Sequence, residues 1–404
     1  MYFPAPPASP RTLGSNQIGM REFNERVVLQ AIRLHGSLPK ADLARMTHLS
    51  TQTVSVIINR LLDEGLVMKL DSLRGKVGQP SQPIALAPDG AFAVGIRIGR
   101  RRLDVMLLDF SGAVRYSAGI AYDTPSVAFV FAEIAVQLEK ITRLLGDKVH
   151  RLTGVGLAAP LMFGGWQKLV RMSPQDADAW TRISMRERLQ ALTHLPVQFA
   201  KDTAAACVAE LVAGRGRGMK SYLYLFVDVL VGGALVIDGQ PHSGVYGNAG
   251  AVGSMPLAVA PTAGRAPQLL GLASLVTLEE MQAAAKLDVL GPMDERMLQS
   301  PWLAVTERWL VDAAGAIAFA INGSACLLDL DGVIVDGAMH PSVLARLLDA
   351  IRVAMRRYSW EGVMRPEVHQ GAIGVDAKVT GAAYLPLHAN FAPAHDLFLK
   401  LGKG

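Results

Sequence analysis

The stretch from Leu38 to Gly65 reads as a helix, a tight turn and a second helix. Ala41, Leu43, Ala44 and Met46 give a short apolar face, and Leu49 follows the turn as a buried plug. Ser50 is placed to cap the second helix, its hydroxyl accepting from a backbone N–H of the first turn. Val54, Ile57, Ile58, Leu61 and Leu62 then recur at spacings of three and four, one face of an amphipathic helix. The opposite face carries Thr51, Gln52, Ser55, Asn59 and Arg60. Short polar side chains of this kind can hydrogen-bond base edges and phosphates without the bulk that blocks entry to the major groove. The expected contacts to double-stranded DNA are therefore Lys40, Ser50, Thr51, Gln52, Thr53, Ser55, Asn59 and Arg60.

Leu66 to Lys69 and Pro83 to Leu86 are expected strands joined by a polar turn from Ser72 to Gln82, which together would make a wing. Arg74, Lys76 and Gln79 lie in that turn, and no acidic residue occurs between Ser72 and Ala87. Such a tip suits phosphate or minor-groove contact, the other reading being solvated loop charge.

At 404 residues, half of them hydrophobic, the chain has room for roughly two to four domains with large cores. The net charge of +5 is compatible with a nucleic-acid partner and too small to establish one. Cys207 and Cys326 both stand in apolar surroundings and read as buried free thiols, which fits a reducing cytoplasm. Residues 1 to 17, rich in Pro, Ala and Ser, read as a disordered tail without a signal-type apolar core. No membrane partner is expected, since the greasiest segment, Tyr222 to Ile237, is broken by Asp228 and paired glycines.

After Pro88 the pattern changes to strands. Phe92 to Ile98, Leu103 to Phe110 and Ala113 to Ile120 form an expected meander, followed by a helix from Val127 to Leu145 and a buried strand from Leu152 to Ala158. The order returns with Tyr222 to Phe226, Gly233 to Ile237, a helix from Trp309 to Leu327 and a strand from Gly332 to Val335. Two α/β lobes facing a cleft follow from the pattern. The domains are then a winged helix-turn-helix over 18–88 and a body over 89–404, with lobes of about 89–201 and 202–404.

Several motifs together resemble the ROK family of repressors, open reading frames and sugar kinases. Toward the N-terminus these are Arg21 and Asn24 before a first helix, Ala41-Asp42-Leu43-Ala44, Leu49-Ser50, Val54-Ser55, and Gly78-Gln79-Pro80 in the wing. In the body they are Gly154-Val155-Gly156 with Pro160, Lys201-Asp202 with the helix that follows, and Gly244 to Gly253. The resemblance implies a two-lobed actin-like, ribonuclease H-like and sugar-kinase-like body behind the DNA reader. It also places Asp202 where the kinases keep their general base and Lys201, Asn248 and Ser254 around a sugar or sugar-phosphate effector.

The departures from the family pattern bear on chemistry. Arg97 stands at the metal-side aspartate position, and Arg100 and Arg101 where backbone must approach phosphate closely. The second phosphate loop reads Val227-Asp228-Val229-Leu230-Val231-Gly232-Gly233, and a further glycine cluster is reduced to Asp336-Gly337-Ala338. Ser254 replaces the zinc-site His, and Thr262 to Ser274 contains no Cys, leaving His242 without partners for zinc. Among the sugar contacts, Lys201 replaces Asn, Ala251 replaces the loop Glu, and Ser274 a later Glu. No catalytic residue, metal or cofactor is expected.

The leading expectation is a homodimeric or higher-order operator-binding regulator, a repressor of sugar uptake or catabolism genes, with a sugar-sensing body and a cytoplasmic location. The alternatives are a regulator without a small-molecule effector and, on Asp202 alone, a sugar kinase. Asp202 as a mere cap of the next helix, and Arg97 and Arg100 to Arg102 as a solvated hairpin turn, are the bland readings of those residues.

Overall fold

The computed structural model describes residues 17–71, 82–163, 172–259 and 264–393. The expected tail, the Ser72–Gln82 turn with Arg74, Lys76 and Gln79, and Gly78-Gln79-Pro80 lie wholly or almost wholly outside the described residues.

The N-terminal unit comprises α1 (Gln17–His35), β1 (Ser37–Leu38), α2 (Lys40–Thr47), α3 (Thr51–Asp63), β2 (Val67–Lys69) and β3 (Ile84–Leu86). Arg21 and Asn24 lie inside α1 rather than before it. His48 closes α2 in the left-handed region at φ 56°, which turns the chain into α3. Ser50 caps α3 as expected, its Oγ accepting from Thr53 N at 3.1 Å. Val54, Ile57, Ile58 and Leu61 are buried, but in the eight-residue α2 only Leu43 is. Ala41 and Met46 face solvent and Leu49 is half-buried, so the expected apolar face of α2 narrows to Leu43 with partial help from Ala44. The wing strands pair antiparallel, and the short β1 adds a third strand that the apolar pattern did not signal.

The body opens with β4 (Phe92–Ile98), β5 (Arg102–Asp109), β6 (Val114–Ala121), α4 (Val127–Leu145), β7 (Leu152–Ala159), α5 (Pro174–Thr181), α6 (Met185–Gln190) and β8 (Val197–Lys201). These strands form a mixed sheet in the order β6-β5-β4-β7-β8. The second lobe follows with α7 (Asp202–Ala213), β9 (Tyr222–Val227), β10 (Gly232–Ile237), β11 (Gln240–His242), α8 (Leu275–Ala284), α9 (Leu303–Leu328), β12 (Gly332–Gly337), α10 (Pro341–Met355), β13 (Glu367–Gln370) and α11 (Ala377–Phe391). Its sheet runs β11-β10-β9-β12-β13. Helix α9 is long and apolar enough to cross a membrane, unlike Tyr222 to Ile237, yet Trp309, Leu310, Ala313, Ile317 and Ile321 are all buried in the core of this lobe.

The last helix does not stay with the second lobe. Helix α11 returns to lie on β4, β5 and β7, with α7 on its other side. Glycines make that approach possible: a Cβ at Gly156 would stand 1.8 Å from Ala382 O, and one at Gly381 would stand 1.7 Å from Ala205 O. The lobe boundary near 201 is therefore crossed by α11, which belongs in space to the first sheet.

The N-terminal unit packs onto the same region. Val28, Ile32 and Leu61 share one core with Leu108, Phe110, Tyr384 and Leu387. Arg33 lies 5.1 Å from the Phe110 ring centroid, and the Phe110 and Phe391 centroids are 4.6 Å apart. Arg26 donates to Ala392 O at 3.3 Å and Arg151 to Glu64 O at 2.8 Å. Arg217 also donates to the carbonyl of Leu34.

Candidate functional sites: a reader helix and an ionic cleft

The outward face of α3 presents Thr51, Gln52 and Asn59 to solvent, with Ser55 half-buried beside them. Lys40 donates to Asn59 Oδ1 at 3.4 Å, which joins the start of α2 to this face. Ser50 and Thr53 are occupied with each other, hydroxyl to hydroxyl at 2.8 Å, in the cap. Arg60 is a staple: its guanidinium meets Glu25 of α1 at 3.1 Å and Glu64 at 2.8 Å. Sequence reasoning passed over Val56, which is 65% exposed on the same face. Its signal was available, since it falls between the i, i+3 and i+4 positions that face the core.

The cleft is built at the ends of β4, β8 and β9 and the start of α11. Arg97, in β4, donates to Asp104 Oδ2 at 3.1 Å in the neighbouring strand and to Asp228 Oδ2 at 2.7 Å after β9. Lys378 Nζ lies between two carboxylates, 2.7 Å from Asp202 Oδ2 and 2.8 Å from Asp228 Oδ2. Arg102 completes the cluster by donating to Asp104. Burial alone would push the Asp202 and Asp228 carboxyls up, but Lys378 and Arg97 outweigh it and hold both below the ordinary carboxylate range. Both are therefore ionised at neutral pH, matched by the cations beside them.

Asp202 is also the first residue of α7, and its Oδ1 accepts from Thr203 N at 2.9 Å, so the helix-end role and the ionic role coexist. The neighbouring Lys201 reaches across to the Gly244–Gly253 loop, donating to Asn248 Oδ1 at 3.2 Å and Ala249 O at 3.0 Å. Burial pulls its ammonium down to about 8 against the opposing pull of Asp202. Of the expected effector contacts, Lys201, Asp202 and Asn248 are thus brought together. Ser254 is exposed at the end of a short turn, where its carbonyl accepts from Gln268 at 3.2 Å.

The arginine turn is tied down, although Arg101 and Arg102 remain exposed. Arg100 donates to Phe163 O at 2.6 Å, and Arg101 grips Glu279 of α8 with bonds of 2.6 and 2.9 Å. Arg97–Asp228 and Arg101–Glu279 both run from the first lobe to the second. Lys378 carries no sequence motif and was missed. Its one signal is a lysine opening a small, apolar, glycine-containing helix, where a buried charge must find partners.

Around the other altered loops, Ser274 is fully buried and accepts from Val231 N at 2.9 Å, bracing the loop after Asp228. Asp336 is buried at the end of β12 and accepts from Gly337 N and Gly374 N. Burial raises its carboxyl to about 6. His242 is exposed on β11, and no group of three or more His, Cys, Asp or Glu poised to hold a metal occurs among the described residues. Cys207 is buried as expected, whereas Cys326 is exposed near the solvent side of α9.

Comparison with known proteins gives these two sites a common context. Residues 24–68 match a winged helix-turn-helix DNA-binding family, and residues 93–389 match the ROK family. The chain is 25% identical over 375 residues to the uncharacterized protein y4fQ of Sinorhizobium fredii, covering 91% of this chain and 92% of that one. It is 21% identical over 243 residues to the xylose repressor of Bacillus subtilis, covering 60% of this chain and 62% of the repressor. A crystal structure of a ROK family transcriptional regulator, a homologue of the E. coli MLC protein, superposes with a TM-score of 0.68 at 19% identity. It covers 94% of this chain and 99% of that one, a likeness of fold. With both segments matched in order, and the ROK match spanning most of the chain, the protein belongs to the ROK family and carries a winged helix-turn-helix DNA-binding domain ahead of its two-lobed body.

Proposed function

We propose that this chain is an operator-binding transcriptional regulator, a repressor of sugar uptake or catabolism genes, whose body senses a ligand without phosphorylating it. The observation that carries the second half is the ionic cluster of Arg97, Asp104, Asp228, Lys378 and Asp202. A kinase of this fold needs space and backbone donors for phosphates, a carboxylate for magnesium and a free base for the sugar hydroxyl. Here a guanidinium replaces the metal-side carboxylate, a carboxylate stands in the second phosphate loop, and the base position is held by an ammonium. That donor set does not fit a magnesium nucleotide, and no phosphoryl-transfer step is assigned. The exposed Ser254 and the solvent-facing His242 likewise do not make a zinc site.

In this reading Gln52, Asn59 and the neighbouring polar groups of α3 read bases in the major groove, and two chains pair so that two recognition helices meet half-sites about one helical turn apart. Helix α11 gives a route between the two sites. Its Lys378 holds the cleft, while Tyr384, Leu387 and Phe391 pack against the N-terminal unit or its supporting sheet. A ligand that binds one lobe arrangement better than another by a few kcal/mol would shift operator occupancy.

Genome-wide mapping of the DNA occupied in the native cell, followed by anisotropy on the recovered sites at two salt concentrations, tests the reader. Palindromic sites beside sugar genes are expected, and diffuse occupancy would overturn the specific-operator reading. A coupled assay for nucleotide turnover over a panel of sugars is expected to give none. Turnover that disappears in Asp202→Ala would overturn the sensing body.

A further inference from the structure

Within the cleft the charges do not all cancel. Arg97, Arg102 and Lys378 are matched by Asp104, Asp202 and Asp228 through direct contacts. Two further cations reach the same region and, among the described residues, make their hydrogen bonds to neutral acceptors. Lys201, 8% exposed, donates to the amide oxygen of Asn248 and the carbonyl of Ala249, and a third ammonium N–H remains beyond those two bonds. Arg100, half-buried, donates to the carbonyls of Phe163 and Met162 and lies 5.6 Å from the Phe163 ring centroid. The Asp202 charge acts on both, but that carboxylate already holds Lys378 at 2.7 Å. The segment following Phe163, residues 164–171, contains no Asp or Glu.

A buried cation without a direct counter-ion is costly, and one that lines a cleft is a candidate for pairing with a ligand's charge. We infer that the ligand of this cleft is an anionic sugar derivative, bearing a carboxylate or a phosphate, whose charged group is held by Lys201 with Arg100 beside it. This rests on the sensing body proposed above and fixes its ligand class. Arg100 presents a planar fork suited to a carboxylate or phosphate, and Lys201 a compact point charge. Both cations stand at one edge of the first sheet, where its parallel strands end: Arg100 on the turn after β4, and Lys201 at the end of β8, from which it touches the loop of the second lobe. The loop itself is open to solvent, with Val245 65% exposed, which leaves a path for a polar ligand. A neutral sugar would leave both charges unmatched.

The test is calorimetry on the full chain with glucose and galactose, their uronic acids, their 6-phosphates and inorganic phosphate. At least one uronate or phosphate ester is expected to bind about tenfold or more tightly than its neutral parent, the scale of one charge-assisted contact. Lys201→Gln should bring acid and parent to equal affinity, and Lys201→Arg should keep the preference. A uronate preference names a carboxylate ligand and an ester preference a phosphate ligand. Inorganic phosphate binding as well as the ester would overturn the sugar half of the inference. Equal affinity for acid and parent, a preference that survives Lys201→Gln, or no binding by any probe would overturn the whole. Operator binding measured on the same preparation without ligand keeps the two questions separate. Intact operator binding with no acid preference sinks the ligand class alone, whereas lost operator binding sinks the regulator reading.

Discussion

On the outer face of α3, Thr51, Gln52 and Asn59 point into solvent, while in the cleft Arg97, Asp104, Asp202, Asp228 and Lys378 point at one another. The two regions use polar side chains for opposite ends. A surface that reads bases must leave its donors and acceptors available, because each one already satisfied within the protein cannot discriminate between base pairs. The carboxylates buried in the cleft are instead each met by a cation at hydrogen-bond distance, because an unmatched buried charge is expensive. The difference explains why Arg60, though on α3, belongs with the second kind: Glu25 and Glu64 hold it, and its work is to join α1 to α3.

The sharpest way to break this contrast is Lys378→Met. It leaves Asp202 and Asp228 buried with Arg97 alone, and breaking a buried pair from one side costs roughly 3–5 kcal/mol. Urea unfolding of the full chain should show a loss of that size, partly recovered in Lys378→Met with Asp228→Asn. An unchanged midpoint would mean that water, not Lys378, satisfies the carboxylates.

Acid probes the same cluster. Asp202 and Asp228 have carboxyls held below their unfolded range, so their contribution is present above about pH 4 and is lost as pH falls through the lower folded values. Asp336 acts oppositely: with its carboxyl raised to about 6, it makes the fold less stable as pH rises from about 4 to 6. Thermal melts of wild type and Asp336→Asn should therefore converge toward pH 4 and separate toward neutrality. Parallel curves would show that Asp336 titrates as it does unfolded.

For the reader helix the expected effect is smaller and of another kind. Gln52→Ala should relax preference at one operator base pair by about 1–3 kcal/mol while changing unfolding little. Anisotropy on operators varied one position at a time checks this. A uniform loss across all sequences would place Gln52 on the backbone of the DNA instead.

How far these regions were readable from the chain differs for a physical reason. The helix-turn-helix is specified locally: a cap at Ser50, a 3.6-residue apolar period from Val54 to Leu61 and a turn at His48 lie within a few residues of one another. Seven strands of the two lobes were legible from their apolar runs, whereas the short β8, β11 and β13 were not; Lys201, Asp202 and Asn248, named from motifs, lie together in the structure. Lys378 was not legible, because it is separated by 150 residues from Asp228 and by 176 from Asp202. The return of α11 to the first sheet was hidden for a related reason. Packed on the sheet at Gly156 and on α7 through Gly381, it has no polar face whose period would show where it lies. The arginine turn misled in the other direction, since a basic hairpin tip looks solvated until Glu279 and the carbonyl of Phe163 are seen beside it.

Arg101 gives the mildest test and bears on what holds the lobes together. Its bidentate pair with Glu279 bridges the lobes as Arg97 does, but Arg101 is 43% exposed where Arg97 is 15% exposed. Water competes for an exposed pair and salt screens it, so Arg101→Ala should cost no more than about 1 kcal/mol. Small-angle scattering of this variant should match wild type, because the buried contacts of Arg97 and Lys378 with Asp228 still join the lobes. Should the variant instead open the molecule or lower its unfolding midpoint as far as Lys378→Met, the rim pair would be the fastening and the buried cluster only its lining.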